Sequence, residues 1–97
     1  MYKLLIFLKK TGDESVLVRF NESTIPKLER LAGKKVSSAE IEGALLSPEK
    51  FEKFCEASFT DKSELDRLLQ TPLGKELNKD LAAFGNHISV FYANFGE

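Results

Sequence analysis

Five consecutive apolar residues, Leu4-Leu5-Ile6-Phe7-Leu8, flanked by Lys3 and by Lys9-Lys10, place the tightest constraint on this chain. In a strand, successive side chains point to opposite faces, so Leu4, Ile6 and Leu8 share one side and Leu5 and Phe7 the other. A strand apolar on both faces is central in its sheet or is covered twice, and one layer of helices supplies only one cover. The run is far short of the about 20 apolar residues of a membrane span. It is also short for a signal peptide, and lysines follow where small cleavage-site residues would stand. No membrane partner is expected, and the expected location is the cytoplasm.

The remaining sequence patterns as one domain over residues 1–97, without repeat, linker or low-complexity tract. Residues 13–32 admit two readings. Asp13 can cap a helix carrying Val16, Leu17, Phe20, Ile25, Leu28 and Leu31, stopped by Gly33, or Val16-Leu17-Val18 can form a strand. Pro26 kinks or restarts the segment either way. Alternation over 35–46 predicts a second strand, with Ala39, Ile41, Gly43 and Leu45 on its apolar side. Ser47-Pro48-Glu49-Lys50 resembles a short helix start. A third strand over 53–60 puts Cys55, Ala57 and Phe59 on the apolar side. Asp61-Lys62-Ser63-Glu64 has capping-box character, Thr71-Pro72 interrupts and restarts the helix, and Gly85 ends it. Residues 87–95 form a last strand. The order is strand, helix, strand, strand, helix, strand: an α+β domain with helices on one face of a mostly antiparallel sheet.

Composition excludes more than it suggests. The 14 Lys and Arg against 15 Asp and Glu leave a net charge of −1, so nothing favours nucleic acid as a partner. Cys55 alone forms no internal disulfide, His87 alone builds no zinc site, and the scattered glycines cradle no nucleotide. No metal and no cofactor are expected, and a haem-binding variant would have only His87 as a ligand.

Several stretches resemble the EthD-like proteins of the dimeric α+β barrel superfamily. These are Lys3 to Gly12, Leu31-Ala32-Gly33-Lys34-Lys35-Val36, Phe59-Thr60-Asp61, Thr71-Pro72-Leu73-Gly74-Lys75 and Asp80-Leu81-Ala82-Ala83-Phe84. The resemblance implies a ferredoxin-like βαββαβ fold and reads 13–32 as a kinked helix. It also implies a homodimer in which two open sheet faces close on each other around a cavity for a small apolar molecule. Relatives of this architecture include cofactor-free monooxygenases, lactone isomerases and cyclases. The main departure from the pattern lies in the first helix: the family's His-Gly-Pro step, aligned on Pro26, has Thr24 in the histidine's place.

If the polar parity of the second and third strands lines such a cavity, then Ser38, Glu40, Phe54, Glu56 and Ser58 share it with Glu42. Desolvation would raise a glutamate there towards neutrality and equip it for proton transfer. Glu56, mid-strand and matching a glutamate of the family, is the preferred catalytic residue. Glu40 is second, His87 or Tyr92 would assist, and Ser38, Phe54, Ser58 and Tyr92 would hold the substrate. The competing reading leaves the glutamates at a solvated rim, His87 merely exposed at a strand start, and the Lys–Glu alternation of 49–53 in water. The expected activity is cyclisation with dehydration, isomerisation or oxygen-dependent oxidation of an apolar, cyclic metabolite. The alternatives are a non-catalytic small-molecule-binding module and a structural dimer whose side chains fill the barrel.

Overall fold

The computed structural model describes residues 1–48 and 50–96. Strand β1 (Tyr2–Lys9) leads into helix α1 (Glu14–Arg19), a π-helical turn (Phe20–Thr24) and α2 (Ile25–Ala32). Strands β2 (Ser37–Glu40) and β3 (Phe51–Phe59) follow, then α3 (Lys62–Leu69), α4 (Pro72–Ala82), a 3-10 turn (Gly85–His87) and β4 (Ile88–Asn94). The sheet runs β2-β3-β1-β4 with every neighbouring pair antiparallel, and the helices cover one side. This is the ferredoxin-like α+β arrangement.

β1 lies inside the sheet as its two-sided hydrophobicity requires. Leu4, Ile6 and Leu8 stand level with Ala57, Cys55 and Lys53 of β3, and with Tyr92, Val90 and Ile88 of β4. On the helix side, Leu4, Ile6, Leu8, Cys55, Ala57 and Phe59 pack with Phe20, Leu28, Leu31, Leu65, Leu77 and Phe84 into one buried core. Each large side chain so buried contributes about 1.5–3 kcal/mol.

The helix ends follow the sequence signals. The Asp13 carboxylate accepts from Ser15 N–H at 3.0 Å, and Gly33 ends α2 in the left-handed conformation at φ 73°. Asp61 accepts from Glu64 N–H at 2.9 Å while Glu64 accepts from Thr60 N–H at 3.1 Å, a reciprocal cap. Residues 13–32 are helical, and the Pro26 problem is solved by the π turn. Ile25 N–H reaches back to Phe20 O, and this widened turn makes room for a proline ring that would strike the carbonyl four residues earlier.

Three expectations are corrected. The second strand is four residues long, and its parity is inverted: Ala39 pairs with Phe54 on the uncovered face, whereas Ser38 pairs with Cys55 and Glu40 with Lys53 on the helix side. Its register is set by pairing with β3, not by its own small side chains. Residues 41–48 form an extended hairpin loop with a bend at 45–47 instead of a short helix; Glu49, part of that expectation, lies outside the described residues. The third strand begins at Phe51, and the last at Ile88, leaving His87 in the preceding turn.

Gly74 sits where α4 crosses the end of α3, and a Cβ there would fall on the Leu68 carbonyl oxygen and the Leu69 backbone. Gly74→Ala is expected to destabilise the fold by at least about 2 kcal/mol, since overpacking against backbone cannot relax by rotamer change. Denaturant unfolding measures this directly. Gly12→Ala, with open space around it but a φ of 71°, should cost less, through backbone strain alone.

Candidate functional site

The structure separates the sequence-predicted residues into two groups on opposite faces of the sheet. Phe54, Glu56 and Ser58 lie on the uncovered face with Lys3, Leu5 and Phe7. There Phe7 is ringed by Phe54, Phe51 and Phe91, with centroids at 4.8, 5.3 and 6.1 Å. Glu56 is half-buried beside this cluster, and its Oε1 accepts from Lys3 Nζ at 3.0 Å. Lys3 also rests 4.7 Å from the Phe95 ring centre. Glu56 therefore stands as one half of an ion pair with Lys3.

Ser38 and Glu40 lie on the helix side. Tyr92 is also on that side, at the outer edge of β4, stacked with Tyr2 at 6.2 Å and beneath Lys62 Nζ at 5.9 Å. It does not share the face of Glu56. His87 is exposed in the turn before β4, close enough to Asp13 for its charge to help hold that carboxyl low. The larger causes of the Asp13 shift are the hydrogen bonds from the side chain and backbone of Ser15.

A cleft of about 460 Å³ between α1, the π turn and the β2–β3 end of the sheet gathers several polar groups. Leu17 and Ile41 give it an apolar wall, while Asn21, Glu40, Glu42, Glu52 and Lys53 give it a polar one. A register shift opposite Leu8 and Lys9 makes this wall: Leu8 pairs with Lys53 and Lys9 with Phe51, leaving Glu52 as the extra residue of a bulge. The bulge turns Glu52 and Lys53 together towards the cleft and swings Phe51 onto the other face, beside Phe7. Sequence reasoning missed Leu17, Asn21, Glu52 and Lys53, because a bulge breaks the alternation by which strand faces are read. The charge alternation around Phe51 was its visible trace.

Thr24, where the family resemblance would put a histidine, is fully buried and donates to Asp80 Oδ2 at 2.7 Å. Asp80 gathers two cations as well: Arg19 Nε and Lys27 Nζ stand 3.8 and 3.7 Å from Oδ1. The Arg19 guanidinium lies 3.8 Å over the Phe84 ring and donates to the Asp80 carbonyl oxygen at 3.0 Å, while its Nε has no hydrogen-bond partner. This cluster ties α1, the π turn and α2 to α4. Among the described residues, no group of three or more His, Cys, Asp or Glu side chains could hold a metal ion. No helix there is long and apolar enough to cross a membrane.

An EthD-family protein of Bacillus halodurans superposes with a TM-score of 0.85 over 99% of both chains, at 21% sequence identity. The fold is that of the EthD-like proteins. A dimeric ferredoxin-like protein of Jannaschia matches with a TM-score of 0.72 at 17% identity, covering 97% of this chain and 98% of its own. An EthD-like protein of Ralstonia eutropha matches at 0.63 and 13% identity, over 96% and 89%. No protein-family model matches the sequence, and no curated protein matches it significantly.

Cys55 is buried against the helices, and burial pushes its thiol up to about 12, with the nearby Lys53 charge opposing. It is a packing residue, inert as a nucleophile. In the unfolded chain the thiol ionises near 9.0, so above that pH the unfolded form binds fewer protons than the folded one. Stability should therefore fall between pH 9 and about 12 more steeply in the wild type than in Cys55→Ala, measured by urea titration at each pH. Thiol reagents should label Cys55 only after unfolding.

Proposed function

We propose that the protein is a homodimeric, cofactor-independent enzyme that moves a proton on a small molecule with an apolar body and a carbonyl-bearing edge. The observation that carries this reading is the pairing of Glu40 with Lys53, directly opposite on adjacent strands and both lining the cleft. A carboxylate beside an ammonium suits proton abstraction next to a carbonyl. Glu40 takes the proton, the Lys53 charge stabilises the oxyanion that forms, and returning the proton to a different carbon completes an isomerisation or prepares a ring closure. Leu17 and Ile41 would hold the apolar body and Asn21 would orient the polar edge. Glu52 and Glu42 offer further carboxylates to relay the proton.

The homodimer is supported by the uncovered face. Leu5, Phe7, Phe51 and Phe54 are only half-buried in one copy, and Phe91 is 53% exposed. A contiguous aromatic patch of this kind marks an association surface. The Jannaschia protein of the same fold is described as dimeric. On this reading Glu56 and Lys3 belong to the dimer contact, and the chemistry lies on the opposite side of the sheet.

A second reading, a dimer that binds a small molecule without turning it over, is favoured by Thr24. The position that the resemblance gives to a proton-transferring histidine is here a hydroxyl committed to Asp80.

Solvent deuterium exchange into a panel of cyclic ketones and diketones separates the two. Wild-type protein is expected to catalyse exchange, and Glu40→Gln to lose about 100-fold or more of it, the ordinary contribution of a positioned acid–base group. Lys53→Gln should lose a similar amount, while Glu56→Gln should retain the rate. Ligand-induced stabilisation without exchange would favour the binding module, and equal rates in wild type and Glu40→Gln would remove the mechanism.

A further inference from the structure

The hairpin loop joining β2 and β3 carries Leu45 and Leu46, both 100% exposed. Two adjacent leucines held wholly in water forgo the free energy that burial of their side chains would return. We propose that this loop is an arm that crosses to a second copy of the chain and lays Leu45 and Leu46 on the edge of that copy's β4. This inference rests on the homodimer proposed above and specifies how it is built.

The uncovered face is not uniform along its strands. Phe7, Phe51 and Phe54 cluster towards one end, where β1 finishes, and Phe91 touches Phe7 from β4. Lys3, Glu56 and Ser58 occupy the other end. Two such faces can close about an axis running along the strands, which sets like ends together, or across them, which lays aromatic rings on the partner's ion pair. The first arrangement buries apolar on apolar and leaves the charged ends together at a wet rim, so it is the favourable one. It also brings β2 of each copy over β4 of the other, the two edges that are unpaired within a single sheet.

The position of the arm then follows from register. Glu40, Lys53, Leu8 and Ile88 stand level across the sheet, so the loop after Glu40 and the start of β4 leave at the same end. With like ends together, the loop of one copy arrives at the beginning of β4 in the other. That edge offers Val90 and Phe91, 38% and 53% exposed. Four strands of this length present a flat footprint of roughly 450 Å² per copy. Two leucines from each copy extend the contact beyond that footprint, towards the about 800 Å² of accessible surface that each partner buries in an ordinary stable complex.

Two experiments test the arm apart from the dimer. Leu45→Asp with Leu46→Asp leaves folding untouched, because these side chains are fully exposed in the single chain. By sedimentation equilibrium, the dimer dissociation constant should rise about tenfold or more. Leu45→Cys combined with Ser89→Cys, which stands level with Phe7 on the uncovered face at the start of β4, should give a covalent dimer under mild oxidation, whereas each single variant should not. Cys55 is buried and does not compete. A dissociation constant unchanged within about twofold, or no cross-link in the double variant, overturns the arm while the dimer stands. A wild type that sediments as a monomer at micromolar concentration overturns the dimer itself.

Discussion

A central strand that is apolar on both sides governs this molecule. β1 is hydrogen-bonded along both edges, to β3 and to β4, and its two faces make opposite demands. Leu4, Ile6 and Leu8 are satisfied by the helices. Leu5 and Phe7 are not, and around Phe7 three further phenylalanines have gathered. The hydrophobic effect is indifferent to which molecule supplies the cover, so the same term that seats the helices would also drive the proposed association. Fold and proposed assembly are two consequences of one pattern.

The helical layer is held by a polar device. Asp80 on α4 accepts from Thr24 and faces Arg19 and Lys27, joining the π turn and α2 to the second helical hairpin. A carboxylate this enclosed is tolerable only because cations and a hydroxyl compensate its charge. Thr24 donates one short hydrogen bond at full burial, a role for which a titrating side chain is not required. What the sequence shows as a departure from the family pattern is, in the structure, a structural contact.

The proposed chemistry has consequently moved to the other side of α1. A single bulge turns Glu52 and Lys53 into the cleft beside Glu40 and sends Phe51 to the aromatic face. The proposed site and the proposed association surface are thus shaped by the same irregularity. Glu56, attractive by its mid-strand position, shares its face with the aromatic cluster and is occupied by Lys3.

Much of the architecture was legible locally. The two-sided first strand, the cap at Asp61 and the restart at Thr71-Pro72 each depend on neighbours within a few residues, and each is found. The cap at Asp13 and the Gly33 stop are found too, but local rules left 13–18 open to a strand and the family resemblance chose the helix. β2 was misread because its short, small side chains carry little preference for either face. Its register is decided by β3, a strand more than ten residues away. Ser38 and Glu40 were therefore assigned to the face of Glu56 when pairing sets them on the opposite one. The sequence alone determined the two-sided first strand, the later helices with their caps, the last strand and the surplus of apolar surface, because these follow from short-range periodicity and capping. Only the tertiary structure decided which carboxylates meet in one cleft, because strand register and the β3 bulge are settled by long-range pairing that no local pattern encodes.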